Sequence, residues 1–286
     1  MESVLTFPRT AYREDHEMLR ETVRRFLERE CKPRQAQWDK DGKVDRETWL
    51  KAGREGLLCT HLDPEWGGAG GDFGHSAVIV EEIARSGVSG LGFGLHSDVV
   101  APYIARLGTD EQKQRWLPKC ASGEVILAIA MSEPGAGSDL KAIRTTARRD
   151  GDEYVINGAK AFISGAGSTD VLVLMARTGD AASGASGISA FAVPADAPGI
   201  SYGKKEQKMG WNSQPTRTIS FDNVRIPADH LLAQVEGSLN GIVVQGDASG
   251  PTVHCGAGAG GEQTASAIVA DLIDIARLGD ADDAAR

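Results

Sequence analysis

The sequence predicts an α+β fold: an N-terminal α-helical bundle over 1–123, an antiparallel β domain over 124–234, and a short α/β tail over 235–286. Three observations predict it. Before Gly123, apolar residues recur at helical spacing among charges. After Glu124, short strand-like runs follow one another in quick succession, separated by Gly, Ala, Ser and Pro. After Gln234 the pattern shifts to VEGSLNGIVVQGDASGPTVHCGAGAGG and one amphipathic run. The 286 residues are enough for two ordinary domains with a sizeable core, and 41% hydrophobic with 25% charged residues is a soluble, globular balance.

In the first segment, Leu19, Val23, Phe26 and Leu27 form one apolar stripe on a helix over Glu14 to Cys31. Glu47 to Leu58 and Gly74 to Arg85 give two more helices; Val78, Val80, Ile83 and Ala84 argue that the second is deeply buried. Between them EWGGAGGDFG is a Gly-rich connection. The HLDPEW before it does not read as a buried strand, so the dinucleotide fingerprint fails in context. Gly90 to Leu107 reads as a core helix, with His96 a satisfied core histidine and no catalytic role. Thr109 and Gln112 form a capping box that opens a helix through Trp116, which Pro118 is expected to end or kink.

The second segment begins with Val125 to Met131, an apolar run that reads as a buried strand feeding the loop Ser132 to Asp139. A loop with one Pro, two Gly and two Ser suits a backbone that turns sharply and presents N–H and hydroxyl donors to an electron-rich group. EYVINGAKAFIS follows, with Asn157-Gly158 predicting a two-residue hairpin turn between two strands. Further strands are expected at Val171 to Met175, Ile188 to Val193 and Thr218 to Val224, with GDAASGASG as a hairpin tip.

A net charge of −9 argues against nucleic acid or an anionic membrane as the main partner. MESVLTFPRT lacks a signal-peptide pattern and no apolar run approaches a bilayer span, so a cytoplasmic location is expected. Cys31, Cys59, Cys120 and Cys255 are scattered without CxxC spacing and read as buried reduced thiols.

The ordered pair MSEPGAGSDL and KAFIS, with Asn-Gly between, resembles the middle domain of the flavin-dependent acyl-CoA dehydrogenase family. GTDEQKQRWLPKCASGE resembles that family's N-terminal domain, and SYGKKEQKMGWNSQPTR with ISFDNVRIPADHLL resembles its branched short-chain members. The resemblance implies FAD as cofactor, acyl-CoA as substrate, 2,3-enoyl-CoA as product and an electron-transfer flavoprotein as electron acceptor. By motif position it implies cofactor contacts at Ile129, Met131, Ser132, Gly137, Ser138, Phe162, Ile163 and Ser164. Met131 and Ser132 would meet the pyrimidine edge, Ser138 would touch both cofactor and acyl-CoA, and Phe162 would cover the isoalloxazine. Ser164 would offer a hydroxyl near the hydride-accepting nitrogen. Ile129 departs from members that carry an aromatic there. Lys204 and Lys205 are either a CoA-phosphate contact or a solvated face.

Family members continue past HLL into a C-terminal helical domain that supplies the catalytic glutamate, part of the FAD site and the tetramer contacts. The tail here resembles the end of homoserine dehydrogenase instead: a strand, a Gly-rich loop, and a helix opened by Thr264 or Ser266 with Ile268, Val269, Leu272, Ile273 and Ile275 on its apolar side. No catalytic residue is therefore assigned, impaired turnover is expected, and a homo-oligomer is compatible with the sequence. GAGAGG has no Rossmann unit around it, and His254 with Cys255 is too small a set for a metal site, so no metal is expected. Two alternatives stay open: a non-catalytic fusion fragment with partial FAD or CoA binding, and a homoserine dehydrogenase-like NAD(P) enzyme.

Overall fold

The computed structural model describes residues 12–234, 240–246 and 250–256. Six α-helices fill the N-terminal part: α1 Glu14–Phe26, α2 Gln35–Asp41, α3 Arg46–Arg54, α4 Phe73–Ser86, α5 Ala101–Leu107 and α6 Asp110–Ser122. The stripe on α1 does what its spacing requires. Val23, Phe26 and Leu27 join Trp38, Trp49, Ile79, Leu91 and Phe93 in one core. A charged seam runs beside it, where Arg20 Nη1 donates to Glu82 Oε1 at 2.7 Å and Arg24 Nε to Glu82 Oε2 at 2.6 Å. That seam explains a departure on α4. Val78 and Ile79 are buried, but Val80 and Ala84 face outward, because the paired Glu82 occupies the inner row.

The capping box at α6 is present, with Thr109 N donating to Gln112 Oε1 at 2.8 Å and Gln112 N to Thr109 Oγ1 at 3.3 Å. Pro118 does not end the helix, which continues to Ser122. A proline there removes one backbone donor, and the burial of Trp116, Leu117, Cys120 and Ala121 on the same helix outweighs that loss. The helix expected over Gly90 to Leu107 starts late. Gly90 and Gly92 hold φ values of +76° and +74°, outside helical space, and helical structure begins at Phe93, widening over Leu95–Val100 before it runs into α5.

Eight strands build the sheet: β1 Leu127–Ala130, β2 Thr146–Asp150, β3 Glu153–Ser164, β4 Val171–Arg177, β5 Ile188–Pro194, β6 Ile200–Tyr202, β7 Thr216–Pro227 and β8 Leu231–Gln234. Their order is β6-β7-β3-β2-β4-β5-β8, mostly antiparallel, with β1 and β2 each parallel to β4. Strand β4 is buried along its whole length because both its faces are covered. Val171, Val173 and Met175 pack toward Val100, Ile104 and Leu117 of the helices, whereas Leu172, Leu174 and Ala176 pack with Ile156, Phe191, Ile219 and Val224 on the other face. Gln112 also ties α6 to the sheet, its Nε2 donating to Asp229 O at 2.6 Å and Leu231 O at 2.9 Å.

The hairpin lies elsewhere than Asn157-Gly158. Strand β3 runs straight through those residues, and the two-residue turn is Gly151-Asp152, with Asp150 opposite Glu153 and Gly151 at φ +62°. Asn157-Gly158 marks a register shift against β7, where Asn223 N donates to Asn157 Oδ1 at 2.9 Å. Gly158, at φ +148°, lets the backbone close on Thr145: a Cβ there would stand 2.6 Å from Thr145 Cα.

In the tail, β9 Asn240–Gly246 contains the expected strand, and β10 Gly250–Gly256 pairs with it, setting Val243 opposite Val253. Two paired strands thus stand where one was expected. The closing helix with Thr264 and Ser266, the side chains of His254 and Cys255, and MESVLTFPRT lie outside the described residues. Among the described residues no helix is long and apolar enough to cross a membrane.

Candidate functional site

Strand β1 delivers its end, Met131 and Ser132, onto β3. Ala161 N donates to Ser132 O at 2.9 Å, and Ser132 Oγ donates back to Ala161 O at 2.8 Å. The chain then doubles back through Glu133-Pro134-Gly135-Ala136, with Glu133 and Ala136 exchanging backbone hydrogen bonds of 2.8 and 3.1 Å. The two motif fragments that are 29 residues apart in sequence are therefore adjacent in space.

Beneath this contact lies a buried ion pair. Lys160 is fully buried, and its Nζ donates to Glu133 Oε1 at 2.8 Å and Met131 O at 3.0 Å. Glu133 also accepts Arg144 N at 2.8 Å and Thr145 N at 3.0 Å. Burial pushes the Glu133 carboxyl up, but its donors outweigh burial and hold it below the ordinary carboxylate range. Burial lowers the Lys160 ammonium in spite of Glu133. The two shifts differ in sense: hydrogen bonds favour the carboxylate's charge, whereas burial opposes the ammonium's charge and Glu133 offsets it only in part.

Phe162 follows directly. Strand alternation from Tyr154, Ile156 and Lys160 would turn Phe162 inward. Between Lys160 and Ile163, however, β3 carries one residue more than β7, since Lys160 faces Ile219 while Ile163 faces Arg217. The bulge flips the parity. Phe162 takes φ +58° and leaves 69% of its surface exposed, while Ile163 becomes core. An exposed aromatic in the left-handed region costs about 1–3 kcal/mol and marks a candidate functional position.

Of the residues singled out in the sequence, Met131, Ser132, Phe162 and the neighbouring Ser164 gather here. Ile129 and Met131 are half-buried against the helix-facing core. Gly137 and Ser138 are exposed on the loop. The side chain of Ile163 is buried among Ala130, Ile219 and Phe221, away from Phe162. Lys205 donates to Asp41 O at 2.6 Å and so closes α2, which favours the structural reading of the Lys pair. Lys160 and Glu133 escaped the sequence reading. Their signal was a charge on the apolar parity of a strand.

Two further polar clusters have structural explanations. His96 is fully buried: Nδ1 accepts Leu127 N at 3.0 Å and Nε2 donates to Cys120 O at 3.1 Å, which fixes the tautomer and joins the helices to β1. Burial pushes its pKa down to about 4. Asp15, His16 and His75 lie within metal-binding distance of one another. Yet His16 Nδ1 accepts Arg13 N at 3.0 Å and its Nε2 faces Asp72 Oδ1 at 2.8 Å, while Arg13 pairs with both Asp15 and Asp72. His16 therefore has no free lone pair, and the group caps α1 and α4. Cys31, Cys59 and Cys120 are free, buried thiols, and burial pushes Cys31 and Cys59 up to about 12.

A helical layer that delivers a strand and a Pro-Gly loop to an antiparallel sheet defines the class of the molecule. Residues 13–124 match the acyl-CoA dehydrogenase N-terminal domain and residues 128–224 the acyl-CoA dehydrogenase middle domain. The chain belongs, over these residues, to the acyl-CoA dehydrogenase family. Residues 204–273 match homoserine dehydrogenase, overlapping the middle domain through β7. The long-chain specific acyl-CoA dehydrogenase of Sus scrofa mitochondria is 44% identical over 227 residues, which are 79% of this chain and 53% of that protein. An acyl-CoA dehydrogenase crystal structure from Geobacillus kaustophilus superposes with a TM-score of 0.76 at 46% identity, over 79% of this chain and 60% of the other. One from Bacillus anthracis, complexed with FAD, gives 0.72 at 32% identity, over 80% and 39%. The chain spans about half the length of the curated relatives it matches.

Proposed function

We propose that this chain forms the flavin-facing part of an acyl-CoA dehydrogenase-type oxidoreductase, with FAD as cofactor and acyl-CoA as substrate. The observation that carries the reading is the double hydrogen bond between Ser132 and Ala161, which sets the loop of one motif beside the outward Phe162 of the other. The residues present fit a flat ring with a polar carbonyl edge: Phe162, an exposed aromatic in a strained conformation, follows the Ala161 that is bonded to Ser132, and Gly137 and Ser138 are exposed further along the Ser132 loop. FAD supplies the acceptor for the hydride that leaves Cβ when acyl-CoA becomes 2,3-enoyl-CoA, and an electron-transfer flavoprotein would then take the electrons.

In this reading Phe162 covers one face of the ring and shields it from water, while Met131 and Ser132 present backbone to its polar edge. The Ser132 hydroxyl hydrogen already goes to Ala161 O, so its oxygen is left as an acceptor. Ser164 offers a half-buried hydroxyl at the end of β3. Glu133 is held by Lys160 and two backbone amides, and Asp139 accepts Lys141 N. Impaired turnover is part of the proposal, along with the division into 1–123, 124–234 and 235–286.

FAD titration of the full chain tests it. Flavin fluorescence should quench to saturation, and anaerobic addition of saturated acyl-CoAs of graded length should bleach the bound flavin slowly. No saturable FAD binding would refute the reading. Bound FAD that no acyl-CoA bleaches would mark a non-catalytic flavin module.

A further inference from the structure

We infer that the buried Lys160–Glu133 pair is a positioning device: it holds the Met131–Ser132 backbone and the Phe162 bulge in the geometry a flavin needs, without touching the flavin itself. The inference rests on the FAD reading above. Lys160 is the residue before the Ser132-bonded Ala161 and two before Phe162, and it reaches across to Met131 O at 3.0 Å, the carbonyl just before Ser132. Glu133 follows Ser132 and fastens the loop to Arg144 N and Thr145 N, where the chain enters β2. One ion pair thus grips both ends of the Ser132–Ala161 contact and the first turn of the loop.

An apolar pair of similar volume would fill this space with comparable or better stability, because burying two charges costs desolvation that their attraction barely repays. What an apolar pair cannot do is pull on a carbonyl. The geometry points to fixation of Met131 O and of the bulge as the function of the charges. The chain path supports it, since Phe162 is held outward only while the extra residue of the bulge stays between Lys160 and Ile163.

The test is the double variant Lys160→Met with Glu133→Gln, in the full chain, compared with the parent. It leaves no unpaired charge buried, but Gln can accept only one of the Arg144 and Thr145 amides and Met131 O loses its donor, so its melting temperature should fall modestly rather than collapse. Hydrogen exchange in the flavin-free protein should show the Ala161 amide, which donates to Ser132 O, exchanging at least tenfold faster, with Leu172 and Leu174 in β4 unchanged. The dissociation constant for FAD should rise at least tenfold, with a shifted flavin absorption envelope. If Ala161 exchange and FAD affinity both match the parent, the pair is ordinary core and the inference falls. Should the double variant fail to fold, Lys160→Met alone, which keeps Glu133 on the Arg144 and Thr145 amides, is read by the same exchange ratio, and an unchanged ratio overturns the inference. A parent that binds no FAD sinks the flavin reading, and the Ala161 exchange ratio then decides the positioning claim by itself.

Discussion

Lowering the pH should loosen the junction between the helices and β1 through His96. In the folded chain Nδ1 accepts Leu127 N and Nε2 donates to Cys120 O, so a second ring proton would face the Leu127 N–H, donor against donor, in a fully buried site. Burial already lowers the group from 6.5 to about 4. The unfolded chain takes up this proton near pH 6.5 and the folded chain does not until about pH 4. Stability is thus fully present above about 6.5 and is lost as pH falls through that window. At about 1.4 kcal/mol per pH unit, the loss reaches roughly 3 kcal/mol. Urea unfolding of the parent and of His96→Asn, measured from neutral pH to about pH 4, checks it: the parent should lose stability more steeply, by about that amount. An imidazole NMR titration midpoint near the ordinary histidine value, or parallel pH dependences in parent and variant, would refute the argument.

Phe162→Gly should leave stability unchanged or raise it by about 1 kcal/mol, because it relieves a left-handed φ at an exposed position, yet it should weaken FAD binding at least tenfold; thermal melts and FAD titration read the two effects separately. Gly158→Ala should destabilise by more than about 2 kcal/mol in chemical denaturation, since its Cβ would press on the Thr145 backbone at a φ alanine avoids; a near-parent value would contradict the bulge geometry.

Much of the architecture was legible because it follows from periodicity. The α1 stripe, the Thr109 capping box and the runs that became β4, β5 and β7 each needed only local pattern. The failures share a cause: tertiary partners overrode local preference. Asn157-Gly158 has strong turn chemistry, but the Asn157 amide finds Asn223 across the sheet and Gly158 admits Thr145, so the strand continues. The Asp150-Gly151 signal seven residues earlier was equally strong, and Gly151 opens the turn. Pro118 breaks a helix only when packing does not hold it. The neighbours of Phe162 in the site were legible from the ordered motifs, whereas its exposure was not, since one inserted residue reverses which side chains face the core.

The same inversion explains why the site departs from local rules at three adjacent points. A charge on the apolar side of β3, an aromatic at positive φ and a Pro-Gly turn against a strand would each be a defect alone. Together they are mutually consistent. The bulge that turns Phe162 outward leaves Lys160 as the last inward residue of the regular alternation, close enough for its ammonium to reach Met131 O. The Pro-Gly turn brings Glu133 back to meet that ammonium, and Glu133 in turn takes the two amides that open β2. Remove the carboxylate and a lone buried charge remains, a loss of about 3–5 kcal/mol. Local frustration concentrated in one place, with its components satisfying each other, is what separates a binding surface from a poorly packed one.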